Sequence, residues 1–472
     1  MSRPIKIYIL ALFLIFCQAK LWAQELTGEL SEQEFLELVQ ENHPVAKQAR
    51  NMAEMGEYAI LEARGAFDPY LFSKNKQKFY KDTNYYLYSN SGISLPTRTG
   101  ITFQGGYDWN EGEYISRENS LPANGLWYAG VSVPVLQGLF IDERRAAFQQ
   151  ALVERRNFEN EARLMLNDVF LQATSYYWQW VQFKAQKQVV EAAIELASDN
   201  LQNFKIAFQQ GDKPAIDTLE ASIQLQNLQI QNQQLQNDLE TARLNLYNFL
   251  WGEEVNPVEE SPINPPQVDR VSMDHIDSLR ASMQIFVQDH PALRAYDLKL
   301  KMLQIENRLK REKLKPKLNL EYNVIQDPAN DISEVTGLDN YKWGVSFSMP
   351  LLLRSERGAL RMNELKLENT NYQYQQKRLE ILNKARQYEN TFENISKQLN
   401  TYQQVVTQYE QLLKAELRKF NIGESSIFLI NYRQMSLVNA RLKFIELQSK
   451  YRYYYRQWLH SLGAAPDLWL RE

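Results

Sequence analysis

Four histidines, His43, His275, His290 and His460, are the residues best suited to move protons near neutral pH. None pairs with a nearby serine or carboxylate motif that demands catalysis. No His, Cys, Asp or Glu set falls at metal-ligand spacing. His43 and His290 each precede a proline, Pro44 and Pro291, which suits the start of a helix better than an active centre. The chain therefore reads as no enzyme and as holding no cofactor. What remains is electrostatics. Asp212, Asp217, Glu220 and Glu424 cluster at or just past two glycines, Gly211 and Gly423, with Lys213, Arg418 and Lys419 close by in sequence. Facing a confined space, such carboxylates concentrate cations. Solvated, or paired with those three bases, they matter little.

The elements that carry these residues are written twice. Phe208-Gln-Gln-Gly211 returns as Phe420-Asn-Ile-Gly423, offset by 212. After each glycine an apolar ladder follows, Leu225, Leu228, Asn232, Leu235, Leu239, Ala242, Leu246 and then Leu437, Ala440, Phe444, Leu447, Tyr451, Tyr454, Trp458. Its alternating steps of three and four are the spacing of a coiled-coil seam. The glutamines of the run Gln224 to Gln236 then read as polar faces of a long helix rather than as low-complexity chain. Farther forward, Glu41-Asn-His43-Pro44 matches Gln288-Asp-His290-Pro291 at an offset of 247, and Gly130-Val-Ser-Val133 matches Gly344-Val-Ser-Phe347 at 214. The first half thus carries 33 extra residues between Pro69 and Gly130. The chain is two homologous halves rather than a string of unrelated domains.

Each half has one order of elements. A short helix starts at Pro44 or Pro291. Strands follow, marked by strict alternation: Leu318, Leu320, Tyr322 and Val324 against Asn319, Glu321 and Asn323, and Ile101, Phe103, Tyr107 and Trp109 within the extra residues. A long helix free of proline runs from about Ile141 to Gln210, and again from about Ser355 to Ile422. Gly211 and Gly423 end these helices, as glycines past a C-cap do, and a return helix follows each. The class is α+β, mostly α. The boundaries are 1–23 for a secretory signal, 24–255 for the first repeat (strands about 69–135, helical hairpin about 141–250) and 256–472 for the second (strands about 316–350, hairpin about 355–460).

Residues 1–23 have a basic start at Arg3 and Lys6, an apolar run from Ile7 to Phe16, and a cleavage pattern at Leu21-Trp22-Ala23. The run is shorter than the roughly 18 residues that span a bilayer, so an uncleaved anchor is the weaker alternative. Cys17 is the one cysteine and would leave with the signal, so no disulfide is expected in the mature chain. Loss of Arg3, Lys6 and Lys20 leaves 50 basic residues against 57 acidic ones, which argues against a nucleic-acid partner. No later segment is apolar enough for a spanning helix, whereas paired alternating strands are compatible with an outer-membrane barrel.

The duplication, the order of strands, long helix, turn and return helix, and the Phe-x-x-Gly turn of both halves together resemble the TolC family of outer-membrane efflux and secretion channels. The resemblance covers almost the whole mature chain. It implies a homotrimer whose protomers pool strands into a 12-stranded transmembrane β-barrel, continued by a periplasmic coiled-coil α-helical barrel. It implies a passive duct in outer-membrane lipid, reaching into the periplasm of a Gram-negative bacterium, joined through a periplasmic adaptor to an inner-membrane pump of RND or ABC type, in efflux or type I secretion. The tips Phe208, Gly211, Asp212, Phe420, Gly423 and Glu424 would dock the adaptor, or the glycines would serve as helix punctuation alone. Asp217, six residues after Gly211, fits the family's turn, and with Glu220 would form an acidic ring or gate at the periplasmic end. Two departures stand out. The 33 extra residues add a hairpin, about Tyr85 to Leu95 and Gly100 to Trp109. The second turn has Phe420, Ser425 and Leu429 where some members carry a Tyr, an Arg and an acid as a latch. The other reading is a periplasmic coiled-coil scaffold without a pore, which explains the helices but not the strands.

Overall fold

The computed structural model describes residues 28–252, 263–264, 283–328 and 339–469. The expected signal, residues 1–23, and His275 lie outside the described residues. In chain order the elements are α1 (Glu32–Asn42), α2 (Pro44–Gly65), β1 (Tyr70–Tyr80), β2 (Thr83–Pro96), β3 (Thr102–Glu111), β4 (Leu126–Pro134), α3 (Glu143–Gln209) and α4 (Ala215–Tyr247). The second half follows with α5 (Met283–Gln288), α6 (Pro291–Glu312), β5 (Lys317–Gln326), β6 (Tyr341–Ser348), α7 (Arg354–Asn421), α8 (Ile427–Ser461) and α9 (Pro466–Trp469). The two-fold order of short helix, strands, long helix and return helix is the one legible in the sequence. At 1.5 Å per residue, the 67 residues of α3 and 68 of α7 each make a helix about 100 Å long.

The chain divides into two compact units, one of residues 51–162 and 291–377, the other of residues up to 50, 163–290 and from 378 onward. The first holds the sheet, six strands in the order β1-β2-β3-β4-β5-β6 with every neighbouring pair antiparallel. The extra residues therefore do form a hairpin, and it is inserted between the strands that the two halves share. Its tight turn is closed by Thr97 and Gly100, with the Thr97 N–H donating to Ile101 O at 2.9 Å. Arg145, near the start of α3, holds the turn from outside through the carbonyls of Thr99 and Leu139, at 3.4 and 3.0 Å. Gly92 of β2 lies opposite Gly106 of β3. A Cβ at either would collide with backbone of the other strand, so the close approach needs glycine on both sides.

Pairing register sorts the side chains. Leu95, Phe103, Val131, Tyr322 and Trp343 form one row across five strands, and Val133, Leu320 and Val345 the next. The opposite face carries Ser94, Gln104, Gly130, Asn323 and Lys342 in one row, tied by a hydrogen bond from Gln104 to Asn323 at 2.9 Å. A strand that alternates in this way has one apolar and one polar face.

Among the described residues the second unit is mainly helix, with a two-residue parallel pair, Gly28–Glu29 with Ile263–Asn264. Helix α1, absent from the sequence reading, starts at a capping box in which the Glu34 N–H donates to Ser31 Oγ and the Ser31 N–H to Glu34 Oε2. Its Phe35, Leu36 and Val39 are fully buried with Phe170, Tyr177, Leu246, Leu250 and Leu459. The ladder residues Leu228 and Leu235 pack with Val190, Ala193 and Val438, as a coiled-coil seam requires.

Candidate functional site

Two helical hairpins place the residues marked by the repeats. At the first turn Gly211 has φ +77° and at the second Gly423 has φ +82°. The Gly211 N–H donates to Phe208 O and the Asp212 N–H to Ala207 O. The Gly423 N–H donates to Phe420 O and the Glu424 N–H to Lys419 O. Both are Schellman closures that satisfy the last carbonyls of a long helix. A Cβ at either glycine would meet open space, so the requirement is conformational alone, a positive φ that side chains disfavour.

The tips are not symmetric. Phe420 turns inward, edge-on to Phe204 at 6.1 Å between centroids, in a small core with Ala221 and Ile427. Phe208, its sequence counterpart, is exposed. Lys213 pairs with no acid among the described residues. Its ammonium lies 4.8 Å from the centre of the Phe420 ring, a cation–π contact. Asp212 and Glu424 are exposed, while Asp217 and Glu220 are half-buried at the start of α4. None of these four acids has an ion pair among the described residues. The second hairpin has its own strap, in which Ser425 Oγ donates to Glu416 Oε1 at 2.5 Å and Arg433 Nε lies 3.7 Å from Glu416 Oε2. The tips also expose apolar side chains in and beside the repeated turns, Ile216, Leu219, Ile422 and Phe428, each 60 % exposed or more. Their signal was present as apolar residues off the heptad seam, next to the turn.

The described histidines that carry contacts sit at helices. The Val45 N–H donates to His43 Nδ1 at 3.2 Å, which caps α2, and the ring stacks on Phe249. Burial lowers the His43 pKa, and a hydrogen bond with the Asn248 backbone works the other way. His460 Nε2 sits 2.7 Å from Asp168 Oδ1, a contact across 292 residues that no spacing could show. Among the described residues no group of three or more His, Cys, Asp or Glu could hold a metal ion.

The sheet is the second candidate. Its apolar face is open: Leu320, Val345, Phe347 and Trp343 are 43 %, 52 %, 66 % and 65 % exposed. Among the described residues the edges β1 and β6 each lack a strand partner on one side. Among the described residues no helix is long and apolar enough to cross a membrane.

Comparison with known proteins finds a family match over part of the sequence and a shared fold over most of it. Residues 283–463 match the outer membrane efflux protein family. No curated protein sequence matches the chain. Among solved structures, the outer membrane protein VceC of Vibrio cholerae is 14% identical with a TM-score of 0.65, covering 92% of this chain and 96% of its own. The CmeC outer membrane channel of Campylobacter jejuni is 12% identical with a TM-score of 0.63, covering 92% and 85%. The open-state MtrE outer membrane channel of Neisseria gonorrhoeae is 11% identical with a TM-score of 0.65, covering 92% and 89%. At such identity the likeness speaks for the fold, and the fold agrees with the family match in sequence. The chain carries an outer membrane efflux protein domain over residues 283–463 and, over its described length, the fold of outer-membrane channels.

Proposed function

We propose that this protein is a passive exit duct in the outer membrane. It assembles as a homotrimer with its sheet in lipid and its helices in the periplasm, and a periplasmic adaptor couples it to an inner-membrane pump of RND or ABC type. The pump supplies the energy, and the duct does no chemistry. The observation that carries this reading is the sheet. An exposed apolar face, a polar face behind it and two open edges cannot persist in lipid until further copies close the wall. The helical tips carry the coupling role. Phe208, Gly211, Asp212, Phe420, Gly423 and Glu424 lie there beside exposed Ile216, Leu219, Ile422 and Phe428, a surface suited to a helical partner.

The assembly test is the mass of the detergent-solubilised protein together with single-channel recording. A conducting trimer is expected. A monomer that conducts, or a protein with no conductance, overturns the reading, and the latter outcome supports a scaffold without a pore. The coupling test is Gly211→Val with Gly423→Val, where each β-branched residue at positive φ costs about 1 kcal/mol or more. Efflux should fall while membrane insertion and conductance persist. Full efflux in the double variant would remove the tips from the coupling site.

A further inference from the structure

Strand β1, within the expected strand range of about 69–135, is polar on both sides along its middle. Ser73, Asn75 and Gln77 point one way and Lys74, Lys76 and Lys78 the other. Pairing decides which way is which. Lys74 lies opposite Asn90, which lies opposite Asp108; Lys76 lies opposite Tyr88 and Asn110; Lys78 lies opposite Tyr86. The three lysines thus share the polar face of the sheet with Gln104, Asn323 and Lys342, on the reverse of Phe103, Leu320 and Trp343. Alternate residues of a strand are about 7 Å apart, so the lysines form a ladder of like charge. All three are exposed, and none has a carboxylate partner among the described residues. Ring faces are their neighbours instead: Lys74 Nζ is 5.6 Å from the Phe72 ring centre and Lys78 Nζ 4.4 Å from that of Tyr85.

The whole polar face leans the same way. Lys74, Lys76, Lys78, Lys317 and Lys342 stand against Asp108 and Glu321, five positive side chains against two negative. This runs counter to a chain whose acidic residues outnumber its basic ones, 57 to 53. A surplus of three charges on a wall becomes nine around a pore built from three copies. In a confined aqueous passage such a surplus raises the local concentration of the opposite ion.

We infer that the polar face of the sheet is an anion-favouring passage, with the ladder Lys74, Lys76 and Lys78 as its principal determinant and solutes bearing phosphate or carboxylate groups as its ligand class. The inference rests on the duct reading, which turns this face to the lumen. It also sets the sheet apart from the tip acids in charge, since Asp217 and Glu220 would favour cations and the lysine ladder favours anions.

The test uses the full mature protein in planar bilayers of phosphatidylcholine, with inositol hexakisphosphate as the probe added on the side of the strand loops. Three proteins are compared: the natural chain, Lys74→Gln/Lys76→Gln/Lys78→Gln, and Lys74→Arg/Lys76→Arg/Lys78→Arg. The glutamine variant should need about tenfold more probe, or greater, for half block, and its reversal potential across a KCl gradient should move toward cations. The arginine variant should keep the natural values, which a merely structural role would not require. Both effects should fade at 1 M salt, where the screening length is about 3 Å. Equal block and equal reversal potential in the natural and glutamine proteins would overturn the inference. So would an effect seen only when lipopolysaccharide is added to the bilayer, because the lysines would then serve membrane phosphates. A natural chain with no conductance would remove the duct reading, and this inference with it.

Discussion

At the scale of the residue, His43 shows how a group suited to catalysis is spent on structure. Its Nδ1 accepts the Val45 N–H, so the ring must be neutral to cap α2. Burial holds its pKa below the usual histidine value of 6.5. A folded pKa below the unfolded one means that the fold binds fewer protons. The stabilisation is full above pH 6.5 and is lost as pH falls toward the folded value. His43→Ala should cost about 1 kcal/mol at neutral pH, as loss of an N-cap does, and should flatten the dependence of stability between pH 5 and 7. Thermal unfolding at several pH values checks both. The acids at the tips belong to the same scale. Asp217 and Glu220, half-buried and without ion pairs, should set cation preference at the periplasmic mouth if they face the lumen. Asp217→Ala with Glu220→Ala should then weaken block by multivalent cations added from that side, and unchanged block would return these acids to the role of solvated charges.

At the scale of the element, the helices are held by a few contacts that join distant parts of the sequence. Glu32, at the start of α1, receives the Arg456 Nε–H of α8 at 2.9 Å, with both side chains nearly inaccessible. Arg456 also donates to Trp469 O at 3.3 Å, so one guanidinium gathers three elements. Removing one partner strands a buried charge. Glu32→Ala should destabilise by about 3–5 kcal/mol, whereas Glu32→Ala with Arg456→Met should recover much of that loss. Denaturant unfolding of the three proteins measures the difference, and a single variant as stable as the natural chain would show that the charge escapes to water. The inserted hairpin of β2 and β3 is anchored with similar economy, through Arg145 at its turn and the facing glycines Gly92 and Gly106.

At the scale of the molecule, the decisive number is six. The resemblance to the TolC family implies twelve strands for three copies, four from each. The described residues of this chain form a sheet of six, and successive strands alternate in direction, so in the proposed trimer β6 of one copy would meet β1 of the next antiparallel. Three copies would then build eighteen strands, within the range of porins with aqueous lumens. Counting strands in a reconstruction of the membrane-embedded assembly tests this: six per copy is expected, and four per copy with the hairpin folded away would refute it. The outward face supplies an energetic check. Leu320→Arg should cost roughly 2–4 kcal/mol near mid-bilayer, seen as loss of the assembled form on gels, while Ser346→Arg, exposed on the polar face, should be tolerated.

Periodicity by itself determined the plan of this protein. Heptad ladders, alternating strands and the doubled Phe-x-x-Gly turn state which residues repeat, and repetition survives without knowledge of what touches what. The helix ends, the glycine turns and the presence of an extra hairpin followed, because each depends on local backbone preferences. Tertiary structure alone decided the rest. Strand β1 lies within the strand range expected from the sequence, but having no apolar face of its own it has its bounds and register fixed by pairing with β2. Helix α1 is short, and its burial depends on residues more than 400 positions away. The face that Lys74, Lys76 and Lys78 share with Asn323 and Lys342, and the pairs Glu32–Arg456 and Asp168–His460, are likewise invisible along the chain. Charge and proton affinity depend on distance through space, and spacing along a sequence sets that distance only within a single helix or strand.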